Sequence, residues 1–358
     1  IAEMAKESGM RVGFFSGVNL HPATPAAFYA HNESRSNYYD INIQMANTNF
    51  DYFGGGMVRT SKTPDGEKTA HDVMKENGWQ IASTREEMED LQPGTQAYAY
   101  NHGFSFNALD YTIDQESDDV TIAEFTAKGI ELLDNPNGFF LMVEGGKIDW
   151  ACHANDIGSS IHNTIAFEAA VQEAINFYNR HPDETLIVVT GDHECGGLTL
   201  GFAGTGYDTN FTVVDGQTKS FEYFDQYVWA PFAEKGGSFN EIIPEIEKYF
   251  GLSDLTDYER EQLEMAFTQS MAGEEEKAGD QATALLYGSY NPITVKATHL
   301  LAQRAGMSWT SYKHTGVPVP TFALGVGSES FNGSYDNTDI FHKTVAAMGM
   351  KNPVALAE

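Results

Sequence analysis

A chain of 358 residues can bury a sizeable core as one large α/β domain or two smaller ones. Its 51 acidic residues against 21 basic ones leave a formal net charge of −30, which repels nucleic acid and anionic membrane surfaces and draws divalent cations toward the protein. No run of about 18 apolar residues occurs, so no membrane-spanning helix is expected.

Residues 1–8 carry a helical pattern that stops at Gly9. The pattern opens on Ile1 rather than Met, so the chain reads as the continuation of a longer one whose leader precedes it. Arg11–Phe15 reads as a short buried strand, Thr24–His31 as a helix, and Asn49–Phe53 runs into Gly54-Gly55-Gly56. Trp79–Ser83 is a further strand, and Thr121–Leu133 a helix with Ile122, Phe125, Ile130 and Leu133 inward. Three apolar runs without alternation, Phe139–Val143, Leu186–Thr190 and Thr321–Val326, are expected as central parallel strands buried on both faces. A long helix over Ala154–Arg180, striped by Ile157, Ile161, Ile165 and Ala169, separates the first two. This strand–helix–strand unit predicts a doubly wound sheet, whose ligands gather at the carboxyl ends of the strands.

From about Phe202 to Gly288 the texture turns Gly-, Asp- and Glu-rich with aromatics, and we read an insertion over about 203–288. It holds a capped helix, Thr256-x-x-Glu259 before Leu263 and Phe267, and an acidic loop at Gly273–Gly279. Asn291-Pro292 then opens a helix that stops at Gly306.

The chemistry is concentrated in three segments. In Glu144-Gly-Gly-Lys-Ile-Asp149-Trp-Ala-Cys-His153, Glu144 ends a buried strand, while Asp149 and His153 stand four apart and face the same way on a helical turn. An oxygen and an imidazole nitrogen converging there suit zinc; the alternative is a helix-start acid beside an unrelated surface histidine. Leu186–Thr190 runs into Gly191-Asp192-His193-Glu194-Cys195-Gly196-Gly197, a second acid–histidine pair among glycines at a strand's mouth. The third segment is His314-Thr315-Gly316, ahead of the strand Thr321–Val326. Together these supply donors for two or three closely spaced metals, as two-metal phosphoryl-transfer sites require.

The spacing E-G-G-x-I-D-x-x-x-H, then T-G-D-H-x-x-G-G, then H-T-G resembles the alkaline phosphatase family, and the similarity runs from Ile1 to Asp336-Asn-Thr-Asp339-Ile-Phe. The resemblance implies a three-layer α/β/α sandwich around a mostly parallel, doubly wound sheet, a single domain over 1–358 with a variable insertion at about 203–288, and first strands that lie outside this chain. It implies two zinc ions and one magnesium. Asp149, His153 and His314 would hold one zinc, Asp192 and His193 the second, and Glu144 with Thr24 the magnesium. Arg35, in Asn32-Glu-Ser-Arg35, matches the arginine that grips phosphate; physically, a guanidinium fork meets two phosphate oxygens at once. The implied reaction is hydrolysis of small phosphate monoesters through a phosphoserine, in a periplasmic or extracellular homodimer.

The departures are local. The family's serine nucleophile, preceded by aspartate and followed by a small residue, has no counterpart in these 358 residues, nor has the aspartate that bridges the second zinc and the magnesium. Residues 1–358 alone are therefore expected not to turn over. Pro22 stands where many relatives carry an acid or histidine near the magnesium, with His21 beside it, and Trp150 follows the ligand Asp149 where others place a cation. Lys147 reads as a loop lysine. Cys152 and Cys195 adjoin the histidines, as small buried residues, soft ligands or a mutual disulfide. The rival readings are another metal-dependent phosphatase, phosphodiesterase or sulfatase of the same superfamily, and a non-catalytic metal- or phosphate-binding protein.

Overall fold

The computed structural model describes residues 1–59, 63–104, 107–273 and 281–350; most of the acidic loop expected at Gly273–Gly279 lies outside them. Strands β1 (Arg11–Ser16), β2 (Tyr52–Gly56), β3 (Gln80–Ala82), β4 (Ala97–Asn101) and β5 (Phe139–Glu144) form a sheet of order β3-β4-β2-β1-β5 in which every pairing is parallel. Helices cover both faces. On one face α1 (Ala2–Glu7), α2 (Ala23–Tyr29), α3 (Tyr38–Ala46) and α4 (Ala70–Glu76) bury Ala5, Tyr29, Met45 and Met74 against Val12, Phe14 and Phe53. On the other, α5 (Arg85–Glu89) and α6 (Ile122–Leu133) pack Met88, Phe125, Leu132 and Leu133 against Phe15, Tyr52 and Ala99. This is the expected α/β/α sandwich with its parallel centre.

Strand alternation explains the division, because Val12 and Phe14 project to one face and Phe15 to the other. The glycines of β2 let it press against β1. Gly55 has φ +132°, and a Cβ there would lie 2.0 Å from the Ser16 carbonyl oxygen. The close approach occurs where Ser16 is also in register with Glu144, at the carboxyl end of the sheet. Strand β4 was not foreseen: Ala97-Tyr-Ala-Tyr mixes small and aromatic residues, and burial of Tyr98 rather than an aliphatic run signals it.

The helix expected over Ala154–Arg180 is present as α8 (Ile157–Tyr178), and a separate short helix, α7 (Gly146–His153), precedes it. Asn155 adopts φ +54°, a left-handed break, and Asp156 restarts the chain by accepting the Ser159 amide at 3.0 Å. The proposed stripe on α8 also needs correction. Ile157 is buried, but Ile161 and Ile165 are 37% and 58% exposed, and Ala166, Phe167 and Ala170 make the packed face instead.

The last strands are arranged differently from expectation. β6 (Leu186–Thr190) does not adjoin β5; it pairs with β11 (Thr321–Gly325), and the pairing is antiparallel. Four short strands complete the set: β7 (Glu194–Cys195) pairs with β10 (His314–Thr315), and β8 (Thr199–Leu200) with β9 (Met307–Ser308), both antiparallel. An unbroken apolar run carries no information on strand direction, so the parallel assignment of Thr321–Val326 had no physical support of its own. Among the described residues β5 and β6 each keep one edge unpaired, and Phe322, Leu324 and Val326 remain exposed.

A separate core lies among the helices Phe239–Phe250, Asp257–Met271 and Pro292–Arg304, where Ile242, Ile246, Phe250, Leu263, Ile293, Leu300 and Leu301 are buried together with Ile157 of α8. The predicted cap is present: Thr256 Oγ1 accepts the Glu259 amide while Glu259 accepts the Thr256 amide at 2.8 Å. Glu259 also takes two hydrogen bonds from Arg304, at 2.7 and 2.8 Å, tying the second helix to the third. No helix of the described residues is long and apolar enough to cross a membrane.

The Arg304 fork holds the Glu259 carboxyl well below the usual range, at about 2. A depressed folded pKa stabilises above the unfolded value near 4.3 and loses that contribution as pH falls toward 2. Glu259→Gln is expected to cost about 1 kcal/mol at pH 7, measured by urea unfolding, with the gap to wild type closing below about pH 4. A gap that persists at low pH would reject the ionic part of this account.

Candidate metal centre

The strand ends deliver the donors to one place. Gly145 and Gly146 turn the chain from β5 directly into α7, whose successive turns carry Asp149 and His153, with Asp149 Oδ2 3.5 Å from His153 Nε2. The pairing of β7 with β10 sets His314 opposite Cys195. His314 Nε2 consequently lies 3.1 Å from His153 Nε2 and 3.6 Å from Asp149 Oδ1. The ligand atoms of Asp149, His153, Cys195 and His314 all fall within 4.8 Å of one another.

Asp192 and His193 occupy the loop between β6 and β7, with Asp192 Oδ2 3.2 Å from His193 Nε2. The His193 ring stacks on His314, with centroids 3.4 Å apart and planes at 18°. The second acid–histidine pair therefore abuts the first group. Glu144, at the end of β5, accepts hydrogen bonds from the Ser16 and Thr24 hydroxyls. Burial pushes its carboxyl up to about 6; those hydrogen bonds oppose the shift, and the Asp192 and Asp149 charges add to it.

The residues present fit bound cations. Asp149 Oδ1 is buried with no hydrogen-bond partner, an orphan acceptor that a cation would satisfy. His153 Nδ1 lies 2.6 Å from the Tyr312 carbonyl, which can only accept, so the proton sits on Nδ1 and the Nε2 lone pair is free for a metal. His193 Nδ1 makes a longer contact of the same kind, 3.3 Å to the Glu194 carbonyl. Desolvation, then the neighbouring His193, lowers the His314 pKa, which favours the neutral, ligating imidazole.

Glu194 is a residue that motif reading passed over. Its carboxylate accepts the Gly197 amide at 2.9 Å, the Leu198 amide at 3.3 Å and the Thr315 hydroxyl, and so staples the β7 turn to β10. The turn itself depends on glycine. Gly196 has φ +82°, and a Cβ there would strike the Trp309 ring at 2.6 Å and the Cys152 carbonyl at 2.8 Å.

The remaining sequence candidates divide. Arg35 is exposed on the turn between α2 and α3, and among the described residues no hydrogen bond or ion pair joins it to the cluster. His21 is buried against Tyr38, ring centroids 4.6 Å apart, and burial followed by Arg59 lowers its pKa to about 4. Trp150 packs beside Tyr111 and Phe221. Lys147 is not a loop lysine. It is buried in the first turn of α7, 3.2 Å from Glu222 and over the Tyr111 and Trp150 rings at 4.1 and 4.7 Å. Its sequence position at a strand–helix junction concealed a partner 75 residues away. Cys152 and Cys195 are free thiols rather than a disulfide. Burial raises the Cys152 pKa to about 11, and burial with Asp149 raises that of Cys195 further.

A parallel α/β sheet that gathers carboxylate and imidazole donors at its strand ends defines a metal-binding α/β enzyme. The family model for alkaline phosphatase matches residues 1–350, and the chain belongs to the alkaline phosphatase family. It is 28% identical over 347 residues to alkaline phosphatase 4 of Bacillus subtilis, covering 95% of this chain and 68% of that protein. The alkaline phosphatase of Escherichia coli K12 is 31% identical over 240 residues, covering 54% of this chain and 51% of the relative. Among solved structures, the cold-active alkaline phosphatase of a Shewanella species superposes with TM-score 0.77 at 28% identity, over 97% of this chain and 77% of that one. The Thermus thermophilus alkaline phosphatase gives the same TM-score at 23% identity, over 97% and 73%, and shows the shared fold. By family the chain is a phosphatase, and hydrolysis of phosphate monoesters is the family reaction.

Support for the centre reaches further out. Asn155 donates to the Cys152 and Ser311 carbonyls, both at 2.9 Å, and contacts His299 Nε2 at 2.9 Å through Oδ1. Because Oδ1 accepts, His299 holds its proton on Nε2 and stays neutral. Burial, then Lys296, lowers its pKa to about 4. The unfolded value is near 6.5, so the unfolded chain binds the proton more readily between those limits, and stability falls as pH drops from about 7 to about 4. His299→Gln is expected to flatten that slope when thermal unfolding of the chelator-treated protein is followed from pH 7 to 4. Parallel wild-type and variant curves would remove His299 from the account.

Proposed function

We propose that Asp149, His153 and His314 hold one zinc ion, Asp192 and His193 a second, and Glu144 with Thr24 a magnesium ion, in a phosphomonoesterase that works through a phosphoserine. The observation that carries this reading is the meeting of Asp149, His153 and His314 within 4.8 Å around an unsatisfied, buried carboxylate oxygen. When bound, the metals supply Lewis-acid stabilisation of phosphate and leaving-group oxygens.

The chain's own residues prepare for that chemistry. The Tyr312 carbonyl fixes the His153 tautomer. Ser16 and Thr24 hold Glu144 through their hydroxyls, within electrostatic reach of Asp192 and Asp149. Arg35 is the candidate phosphate clamp: its exposure on the α2–α3 turn leaves its guanidinium fork free to swing onto a bound anion. His21, packed on Tyr38, and Trp150, packed beside Tyr111 and Phe221, are candidates for a supporting role around the metals. The net charge of −30 keeps polyanions away while small monoesters reach a site whose own charge the cations offset. We place the mature enzyme in the periplasm or outside the cell, as a homodimer, with residues 203–288 as its variable subdomain on the separate helical core.

The serine nucleophile and bridging aspartate that the family resemblance implies have no counterpart in residues 1–358.

One comparison of esters and variants tests these readings. Wild type is expected to hydrolyse 4-nitrophenyl phosphate far faster than its bis-ester, and His153→Ala or Asp149→Asn to lower that rate at least about a hundredfold together with bound zinc. Equal rates on both esters would overturn the monoesterase reading.

A further inference from the structure

The Asp149–His153–His314 group contains a fourth donor that the family resemblance does not predict. Cys195 Sγ lies within 4.8 Å of each of the other three ligand atoms, and the backbone fixes it there. Cys195 is the residue directly opposite His314 in the β7–β10 pair. It is 8% exposed, and among the described residues its thiol makes one hydrogen bond, a long 3.7 Å approach to the Asp149 carbonyl. Its neighbours hold that position. Gly196 bonds through its amide to the Lys313 carbonyl at 3.0 Å, and the Glu194 carboxylate grips both the turn and Thr315. The thiol therefore has no alternative partner of comparable strength and little freedom to leave.

We propose that Cys195 binds the first metal as a thiolate, completing an Asp–His–His–Cys set. This inference rests on the metal-centre reading above and deepens it. Zinc with Zn–S near 2.3 Å and Zn–N near 2.0 Å has neighbouring ligand atoms about 3.3–3.6 Å apart; the Asp149, His153 and His314 contacts of 3.1–3.6 Å already match, and the sulfur needs to approach by at most about an ångström. Two imidazoles, one carboxylate and one thiolate also neutralise a divalent cation, which lowers the cost of burying it. A thiolate makes the site selective. It favours zinc, cobalt(II) and cadmium over magnesium and manganese, for which oxygen donors suffice. Binding expels the thiol proton to solvent, with no change in oxidation state.

Cobalt(II) tests this in the full-length protein. Wild type loaded with cobalt is expected to show visible ligand-field bands and a near-ultraviolet sulfur-to-cobalt charge-transfer band. Cys195→Ser should keep the first and lose the second, and should weaken cadmium binding at least about tenfold more than manganese binding. Cys152→Ser should retain both bands. Should Cys195→Ser fail to fold, alkylation of wild type mapped by mass spectrometry gives the same answer. Zinc should protect Cys195, and a chelator should expose it. Ligand-field bands without the charge-transfer band in wild type would overturn the cysteine ligand and leave the metal centre standing. Absence of cobalt binding altogether would overturn the metal-centre reading, and this inference with it.

Discussion

The site depends on one pairing, the two-residue antiparallel contact of β7 with β10. It places His314 across from Cys195 and Thr315 across from Glu194, although the members of these pairs stand 119 and 121 positions apart in the chain. Without it His314 would stand on a free loop, and the Asp149–His153 turn would lack its third corner. So short a ladder closes a long loop against a large entropic cost, and its own backbone bonds are too few to offset that cost. The compensation is side-chain and local. Glu194 bonds both to its own turn and to the partner strand, Gly196 accepts the press of Trp309, and the helix Pro292–Arg304 returns the chain from a well-packed core only a few residues before β10.

The electrostatics set a complementary constraint. Glu144, Asp149 and Asp192 are close enough that two of the charges raise the pKa of the third. In a protein of net charge −30 there is no cationic surplus to quench them. Lys147, the lysine nearest in sequence, is turned away and spent on Glu222. The chain therefore holds a repulsive cluster together by packing, and divalent cations are the groups that relieve it. Like charges held in a rigid frame are a stabilising feature of the loaded state and a destabilising feature of the empty one. Metal removal should thus be felt as lost stability and not only as lost chemistry.

Much of this was legible in the sequence, and the reasons differ by residue. Asp149 and His153 were readable because helical spacing converts a four-residue offset into a shared face. Asp192 and His193 were readable because a buried strand ran straight into them. Thr256 and Glu259 followed from capping chemistry alone. What escaped is equally particular. The start of α8 at Ile157 rather than Ala154 turns on the left-handed conformation of Asn155, which nothing in its sequence context marks. The partner of Lys147 lies in a different part of the chain. The direction of β11 and the exposure of Ile161 and Ile165 depend on what packs beside them, which periodicity does not encode.

The placement of Cys195 shows why family spacing and physical reading are both needed. Spacing names the acids and histidines, since it identifies positions where family members carry ligands, and it is silent on a residue that no shared motif specifies. Geometry has the opposite bias. It registers any donor that the backbone brings within reach, whether or not a relative carries it. Cys195 enters by register, as the cross-strand neighbour of His314, and the same ladder that brings the histidine to Asp149 and His153 brings the sulfur within 4.8 Å of all three. A substitution at that position would thus alter which metal the centre prefers without disturbing the strand pair that builds it.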